Sequence, residues 1–418
     1  MVSEEGEGDV TTEVPALPEG AVLLHIGPYK TGSTAIQQAL FDRRDVLAEH
    51  GVYYPGRWRR LFREGHSLMQ WSPRGRPVPP VSVWDDFAAD IRRRRDVRVC
   101  LSTEDFGRIR EAGKAHKVVE DLGADRLHLI AVARAYHRLM PSHWQERVKS
   151  HERRSYDEWL HELLEDGSSE VARSFWTSHD VEYMTSRWLD VLPADRFTFV
   201  VTDDADRDLL PRTFERLLGL PDGLLGRQTD GQTDGQTGNA SLSMNAVELL
   251  RRVNGEFAER GWSDRDYVRL VQSGLVPELQ AAGRSVGDVP VPPLPGWARP
   301  LVAERSERRV SVLERLGVPV VGDPACLLLP ELPVGDEQDL MPERISVEAA
   351  SRAVVGVVAA SLEPAKRPSG EQSRQVVPQD RGRPIAAAGG RELASALVRR
   401  VGSRLMRRPE RRPSGDPH

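Results

Sequence analysis

Cysteine and lysine are the scarce residues of this 418-residue chain, and each scarcity excludes something. Two cysteines, Cys100 and Cys326, are too few for a disulfide framework or a cysteine-based zinc site, and they suit a reducing, cytoplasmic setting. No run approaches the roughly 18 apolar residues that a membrane-spanning helix needs. The opening residues, MVSEEGEGDVTTEVPALPEG, are acidic where a secretory leader would be basic, so 1–20 is expected to be a disordered polar leader. A formal charge of −5 gives no reason to expect nucleic acid as a partner. Lysine occurs only at positions 30, 114, 117, 149 and 366, the remaining basic charge being arginine. A lysine inside a glycine-rich turn is therefore worth more notice here than in a lysine-rich chain.

What is present has an α/β rhythm. AVLLHIG, from Ala21, reads as a buried strand, and AIQQALFDRRDVLAEHG as a helix closed by Gly51. Arg57 to Pro80 is expected to be a long irregular connection. Further strands are expected at VRVCLS, RLHLIAVA and RFTFVVTDD. Between them, helices are expected near 84–94, 114–122 and 137–150, and over 156–192. Alternation of this kind implies a mostly parallel sheet with ligands at the carboxyl ends of its strands. The QTDG-type repeat at 227–239 reads as a flexible insertion, 243–332 as a mostly helical extension, and 342–418 as a largely disordered basic tail. One segment of the tail, 391–408, spaces Leu393, Leu397, Val401 and Leu405 among arginines. It reads as a surface helix or as a contact for an anionic membrane or acidic partner.

The turn HIGPYKTGSTAIQ joins the first strand to the first helix. Gly27 and Gly32 permit a tight turn and close approach of a ligand, and the helix N-terminus presents free N–H groups to an anion. Lys30 adds a mobile positive charge, and Thr31, Ser33 and Thr34 add hydroxyl donors. A nucleoside-triphosphate loop places its lysine directly after the second glycine. Here Lys30 precedes Gly32, which argues against a magnesium-dependent triphosphate site.

With that order of residues, PYKTGST followed by AIQQAL and then GVYYP resembles the sulfotransferases that use 3'-phosphoadenosine-5'-phosphosulfate (PAPS), in their bacterial branch related to the heparan-type enzymes. The resemblance implies a P-loop-like three-layer fold, with helices on both faces of a central parallel sheet and a helical C-terminal extension. It implies PAPS as sulfuryl donor, a hydroxyl or amine acceptor such as a carbohydrate or small natural product, and no metal. It also implies a 3'-phosphate site in which a strand-end arginine is followed eight residues later by a serine, here Arg134 and Ser142. Ala135 stands where a proline usually follows the arginine. A late loop that closes over the nucleotide in family members has a counterpart in GNASLSMNAVELL, with Asn239 and Ser241 as contacts.

Sulfuryl transfer needs a base for the acceptor proton, and family members use glutamate or histidine. Glu104, in the strand-end sequence VCLSTEDF, is the first choice, although it also suits a helix start after Ser102 or Thr103. His66, in REGHSL, is the second. Asp105 is expected to point away from its neighbour on an extended chain. A P-loop nucleotide kinase and a non-catalytic nucleotide-binding protein of the same fold are the competing readings.

Overall fold

The structure is a computed structural model that describes residues 14–72, 76–226, 242–283, 288, 294–331, 342 and 344–362. All of these belong to one compact unit, Met1–Pro364. The repeat insertion at 227–239, Asn239, Ser241 and the segment 391–408 lie outside the described residues.

Six strands form one all-parallel sheet in the order β2-β3-β1-β4-β5-β6. They are β1 Val22–His25, β2 Val52–Tyr53, β3 Arg98–Ser102, β4 Leu127–Arg134, β5 Phe197–Thr202 and β6 Val320–Val321. The reason for this architecture is visible in the runs themselves. All four residues of β1 and the first seven of β4 are buried, as a strand covered on both faces requires. Alternate residues then feed two cores. Val22, Leu24, Leu101, Leu129 and Phe199 meet Trp84 and Phe106 on one face. Leu23, Cys100, Ile130 and Val132 meet Ile36, Leu40 and Phe214 on the other. A third core, containing Trp144, Trp159, Phe175, Val247 and Tyr267, is built between helices. Each such side chain contributes about 1.5–3 kcal/mol when fully buried.

Several expectations change at the level of elements. The expected helix over 35–51 is two, Ser33–Asp42 and Arg44–Glu49. The connection Arg57 to Pro80 contains a helix, Phe62–Met69, which carries His66. The stretch over 156–192 is three helices, two of them held at their starts by Ser155 and Ser169 accepting from backbone N–H groups. Within the expected helical extension, Val320–Val321 instead joins the sheet beside β5. The tail reading does not hold for Val347–Leu362, which is a helix against 267–275. Nor is all of 14–20 a detached leader, because Val14 is buried and the Leu17 N–H donates to the Leu217 carbonyl at 2.9 Å. Cys100 and Cys326 are both free thiols.

Candidate functional site

The chain leaves β1 toward β2 and β3 on one side and returns to build β4, β5 and β6 on the other. The carboxyl end of β1 is therefore the topological switch point, where open parallel sheets leave a crevice. Three segments meet there: the turn after β1, the turn after β3 and the β4 to helix junction. Backbone bonds hold them in register, with Thr103 N–H donating to the His25 carbonyl at 2.9 Å and Val132 N–H to the Gly27 carbonyl at 2.8 Å.

Gly27 has φ +87°, and a Cβ there would lie 2.9 Å from both Cβ and Cγ of Glu104. Only glycine lets the β1 and β3 turns close on each other. Gly32, at φ +96°, precedes the Ser33–Asp42 helix and gives it no side-chain cap. Thr31 and Ser33 donate instead to the Pro28 carbonyl at 2.8 and 3.2 Å, so they brace the turn from inside. Thr34 is half-buried in the first turn. The helix thus presents its N-terminal N–H groups without a side-chain acceptor, the arrangement that favours an anion. Lys30 also sits at positive φ, +69°, a conformation that costs a non-glycine residue free energy and turns its side chain out of the loop.

Lys30 Nζ donates to Glu146 Oε2 at 2.7 Å, and Lys149 reaches the same oxygen at 3.4 Å. Burial works to raise the Glu146 carboxyl, but the two lysines outweigh it and hold it at about 2. Arg134 Nη2 lies 3.1 Å from Asp204, and Arg138 Nε lies 3.4 Å from the other oxygen of the same carboxylate. Arg134 Nη1 also donates to the Lys30 carbonyl at 3.4 Å. Behind it, Arg309 Nη1 donates to the Arg134 carbonyl at 2.8 Å and its guanidinium lies over the Tyr136 ring. Arg309 thereby braces the turn at Ala135, where no proline does so.

Ser142 lies half-buried at the seventh residue of the Tyr136–Val148 helix. Positions 138, 142, 146 and 149 fall on one helical face. Ser142 therefore sits between the arginine that reaches Asp204 and the glutamate that reaches Lys30. Four cations and two carboxylates make up this rim, an excess of positive charge. A cleft of about 310 Å³ adjoins it, lined by Arg134, His137, Arg138, Thr202, Cys326 and Leu329 among others.

The turn after β3 has its own polar core. Glu104 Oε2 accepts from Arg60 Nη1 at 3.0 Å, with the glutamate almost wholly buried. Burial opposes the Arg60 charge, yet Glu104 outweighs it and raises the arginine above its ordinary range. Asp105 does not point away from the site. Residues 104–108 wind into a 3₁₀ turn rather than an extended chain. Asp105 accepts from Tyr29 Oη at 2.8 Å and faces His66 Nε2 at 3.4 Å. Burial pushes this carboxyl up, while the bonds from His66 and Tyr29 more than reverse it, leaving it below the ordinary range. Burial, with Asp105 and Glu104 adding to it, raises the Tyr29 phenol, which stays a donor.

The sequence-predicted residues Gly27, Lys30, Thr31, Gly32, Ser33, Thr34, Glu104, Arg134 and Ser142 are thus gathered at one sheet edge, and Asp105 and Tyr29 connect His66 to it. Arg60, Glu146, Lys149, Asp204 and Arg309 were not foreseen, and Asp105 was expected to point away from its neighbour. The four-residue spacing of Arg138, Ser142 and Glu146 is the one sequence signal that points to any of them. Among the described residues, no group of three or more histidine, cysteine or carboxylate side chains is placed to hold a metal ion. No protein-family model matches the chain, and no curated protein or solved structure matches it either.

Proposed function

We propose that the chain is a sulfotransferase that moves a sulfuryl group from PAPS to a hydroxyl or amine acceptor. The observation that carries this reading is the meeting of two anion-handling segments 104 residues apart, Arg134 and the Lys30 turn. A single phosphate needs one such segment, whereas a donor phosphorylated at both its 5' and 3' positions needs two. The parallel sheet and the glycine-containing turn from β1 into a helix suit the P-loop-like fold that the resemblance implies.

Magnitudes favour anion capture at this rim. Lys30 and Arg134 keep about a quarter of their side chains exposed, and their carboxylate partners about half. Ion pairs this open are worth about 0–1 kcal/mol. A hydrogen bond from a cation to a phosphate oxygen contributes about 1.5–3 kcal/mol, enough to displace either carboxylate. In this reading Lys30, Thr34 and the helix N-terminus hold the 5'-phosphosulfate, while Thr31 and Ser33, expected from the sequence to donate to it, instead brace the turn through the Pro28 carbonyl. Arg134, Arg138 and Ser142 hold the 3'-phosphate, and the adjoining cleft takes the nucleoside.

The acceptor oxygen or nitrogen attacks sulfur, forming the new bond as the bond from sulfur to the 5'-phosphate oxygen breaks. Both electrons of that bond leave with adenosine 3',5'-bisphosphate. Lys30 and the turn N–H groups stabilise the charge that builds on the departing oxygen. Glu104, packed on Gly27 beside the turn, takes the acceptor proton, and Arg60 fixes its orientation. Asp105 bridges Tyr29 and His66 and so fixes the acceptor side of the turn.

Calorimetric titration with adenosine 3',5'-bisphosphate, and separately with ATP and magnesium, tests the donor. The bisphosphate should bind more tightly, and preference for ATP would overturn the assignment in favour of a kinase. Arg134→Ala should cut the preference for the bisphosphate over adenosine 5'-monophosphate by about tenfold or more, the equivalent of one charge-assisted contact. Binding of the bisphosphate without transfer to any acceptor would mark a non-catalytic nucleotide-binding protein.

A further inference from the structure

Arg309 is a buried cation that the fold leaves without a counter-charge. It lies within the Ala298–Arg315 helix and is 4% exposed. Nη1 donates to the Arg134 carbonyl at 2.8 Å, and the guanidinium carbon lies 4.5 Å from the Tyr136 ring centroid. Nε is enclosed with no hydrogen-bond partner. Arg308, the residue before it, pairs with Glu182 at 2.8 Å, whereas Arg309 makes no ion pair among the described residues. His179, whose backbone carbonyl accepts from Tyr136 Oη at 3.2 Å, is also buried and offers no negative charge. Burial pulls the hold of Arg309 on its proton below the ordinary range, and Tyr136 and Asp180 reverse only part of that.

Packing alone does not account for such a residue. Taking a charge out of water is costly unless a partner of opposite sign compensates it, and a methionine would fill similar space without that cost. One hydrogen bond to a carbonyl offsets only part of it. That bond ties Arg309 to the carboxyl end of β4, through the carbonyl of the residue whose side chain reaches Asp204 and the Lys30 turn. The cations on the open side of the same strand end differ from it, because Lys30, Arg134 and Arg138 each have a carboxylate at rest. Arg309 has none, and from a low-dielectric interior its field toward the strand end is little screened by water or salt.

We propose that Arg309 is a positioning residue for the donor's 3'-phosphate, its buried charge a standing counter-charge that a phosphate dianion at Arg134 compensates. This role rests on the sulfotransferase reading. The carbonyl bond fixes the backbone from which the Arg134 side chain extends. The charge favours exchange of Asp204 for phosphate, since a phosphate monoester brings about −1.5 to −2 where the carboxylate brings a single negative charge. Arg309 thus selects between nucleotides that differ at the 3' position, without touching either.

Calorimetric titration of the full chain with adenosine 3',5'-bisphosphate and with adenosine 5'-monophosphate, on the wild type, Arg309→Met and Arg309→Lys, is the test. Arg309→Met should cut the preference for the bisphosphate by about tenfold or more, with monophosphate affinity unchanged and the unliganded chain no less stable to urea. Arg309→Lys keeps the charge and should stay within about threefold of the wild type. An unchanged preference in Arg309→Met would overturn the role, and so would an equal loss in both variants, which would mark shape rather than charge. If Arg309→Met does not fold, Arg309→Gln is read in the same way. Failure of both neutral variants to fold would show a charge that the fold itself requires, and would overturn the role as well. A wild type without preference for the bisphosphate would overturn the sulfotransferase reading and this role together, so the wild type alone tells the two failures apart.

Discussion

Acid should destabilise this protein well above the range in which its carboxylates titrate, and His25 is the residue on which to measure it. His25 ends β1, directly before the Gly27–Thr34 turn, fully buried, with Nδ1 2.8 Å from Ser102 Oγ. Burial lowers it from 6.5 to about 3. In the unfolded chain the same imidazole binds a proton near 6.5. Its contribution is therefore fully present above pH 6.5 and is lost as pH falls toward 3. Between pH 7 and pH 5 one such histidine removes about 2 kcal/mol. His143, lowered to about 3, and His128, lowered to about 4, act in the same direction by the same cause. The depressed carboxyl of Glu146 adds its loss only below about pH 4.5, outside this window. Urea denaturation at pH 7 and pH 5, on the wild type and on His25→Leu, isolates the term. The substitution changes stability at both pH values, but the difference between them should shrink by about 2 kcal/mol. An unchanged difference would show that His25 is not held neutral by burial, and the argument would fail.

Two further outcomes bear on the site. Glu104→Gln should lower turnover by about 10²- to 10⁴-fold without altering bisphosphate affinity, the signature of a lost base, whereas His66→Asn should cost less. The reverse order, read from kcat with PAPS and an acceptor found by screening, would move the base to His66. Glu146→Gln should free Lys30 and tighten bisphosphate binding by up to about fivefold, the worth of a half-exposed ion pair. Weaker binding in the calorimeter would show that Glu146 positions Lys30 rather than competing for it.

The sheet was legible where burial on both faces forces continuous apolar runs. VLLH, VCL, LHLIAVA and FTFVV announce β1, β3, β4 and β5 with only small errors at their ends. It was not legible where an element owes its existence to a neighbour. Val320–Val321 is two residues inside a proline-containing stretch, and it is a strand because β5 offers it an edge. FREGHSLM carries a glycine and sits among arginines and prolines, yet it is a helix, its buried Ser67 and Leu68 among the contacts that hold it. VEAASRAVVGVVAASL was hidden by the polar sequence around it and by its five valines and a glycine, which lower helix propensity, and packing against 267–275 accompanies its folding as a helix.

The same division runs through the site. The turn from Gly27 to Thr34 is contiguous, so its chemistry could be read from order alone, down to the position of the lysine. Its counter-charges could not, because Glu146 lies 116 residues from Lys30 and Asp204 lies 70 from Arg134. Asp105 was misplaced by the assumption of an extended chain. In the folded protein the 3₁₀ turn sends Glu104 to Arg60 and its neighbour to Tyr29 and His66. These unread residues give the site a resting state. Unpaired cations this close together would repel one another, and the two carboxylates remove that cost at about 0–1 kcal/mol of pairing each. Under the proposed function, a neutral ligand would gain too little to displace them, while a doubly phosphorylated one would replace both at once. Selectivity for the donor would then come as much from the carboxylates as from the lysine and arginine they cover.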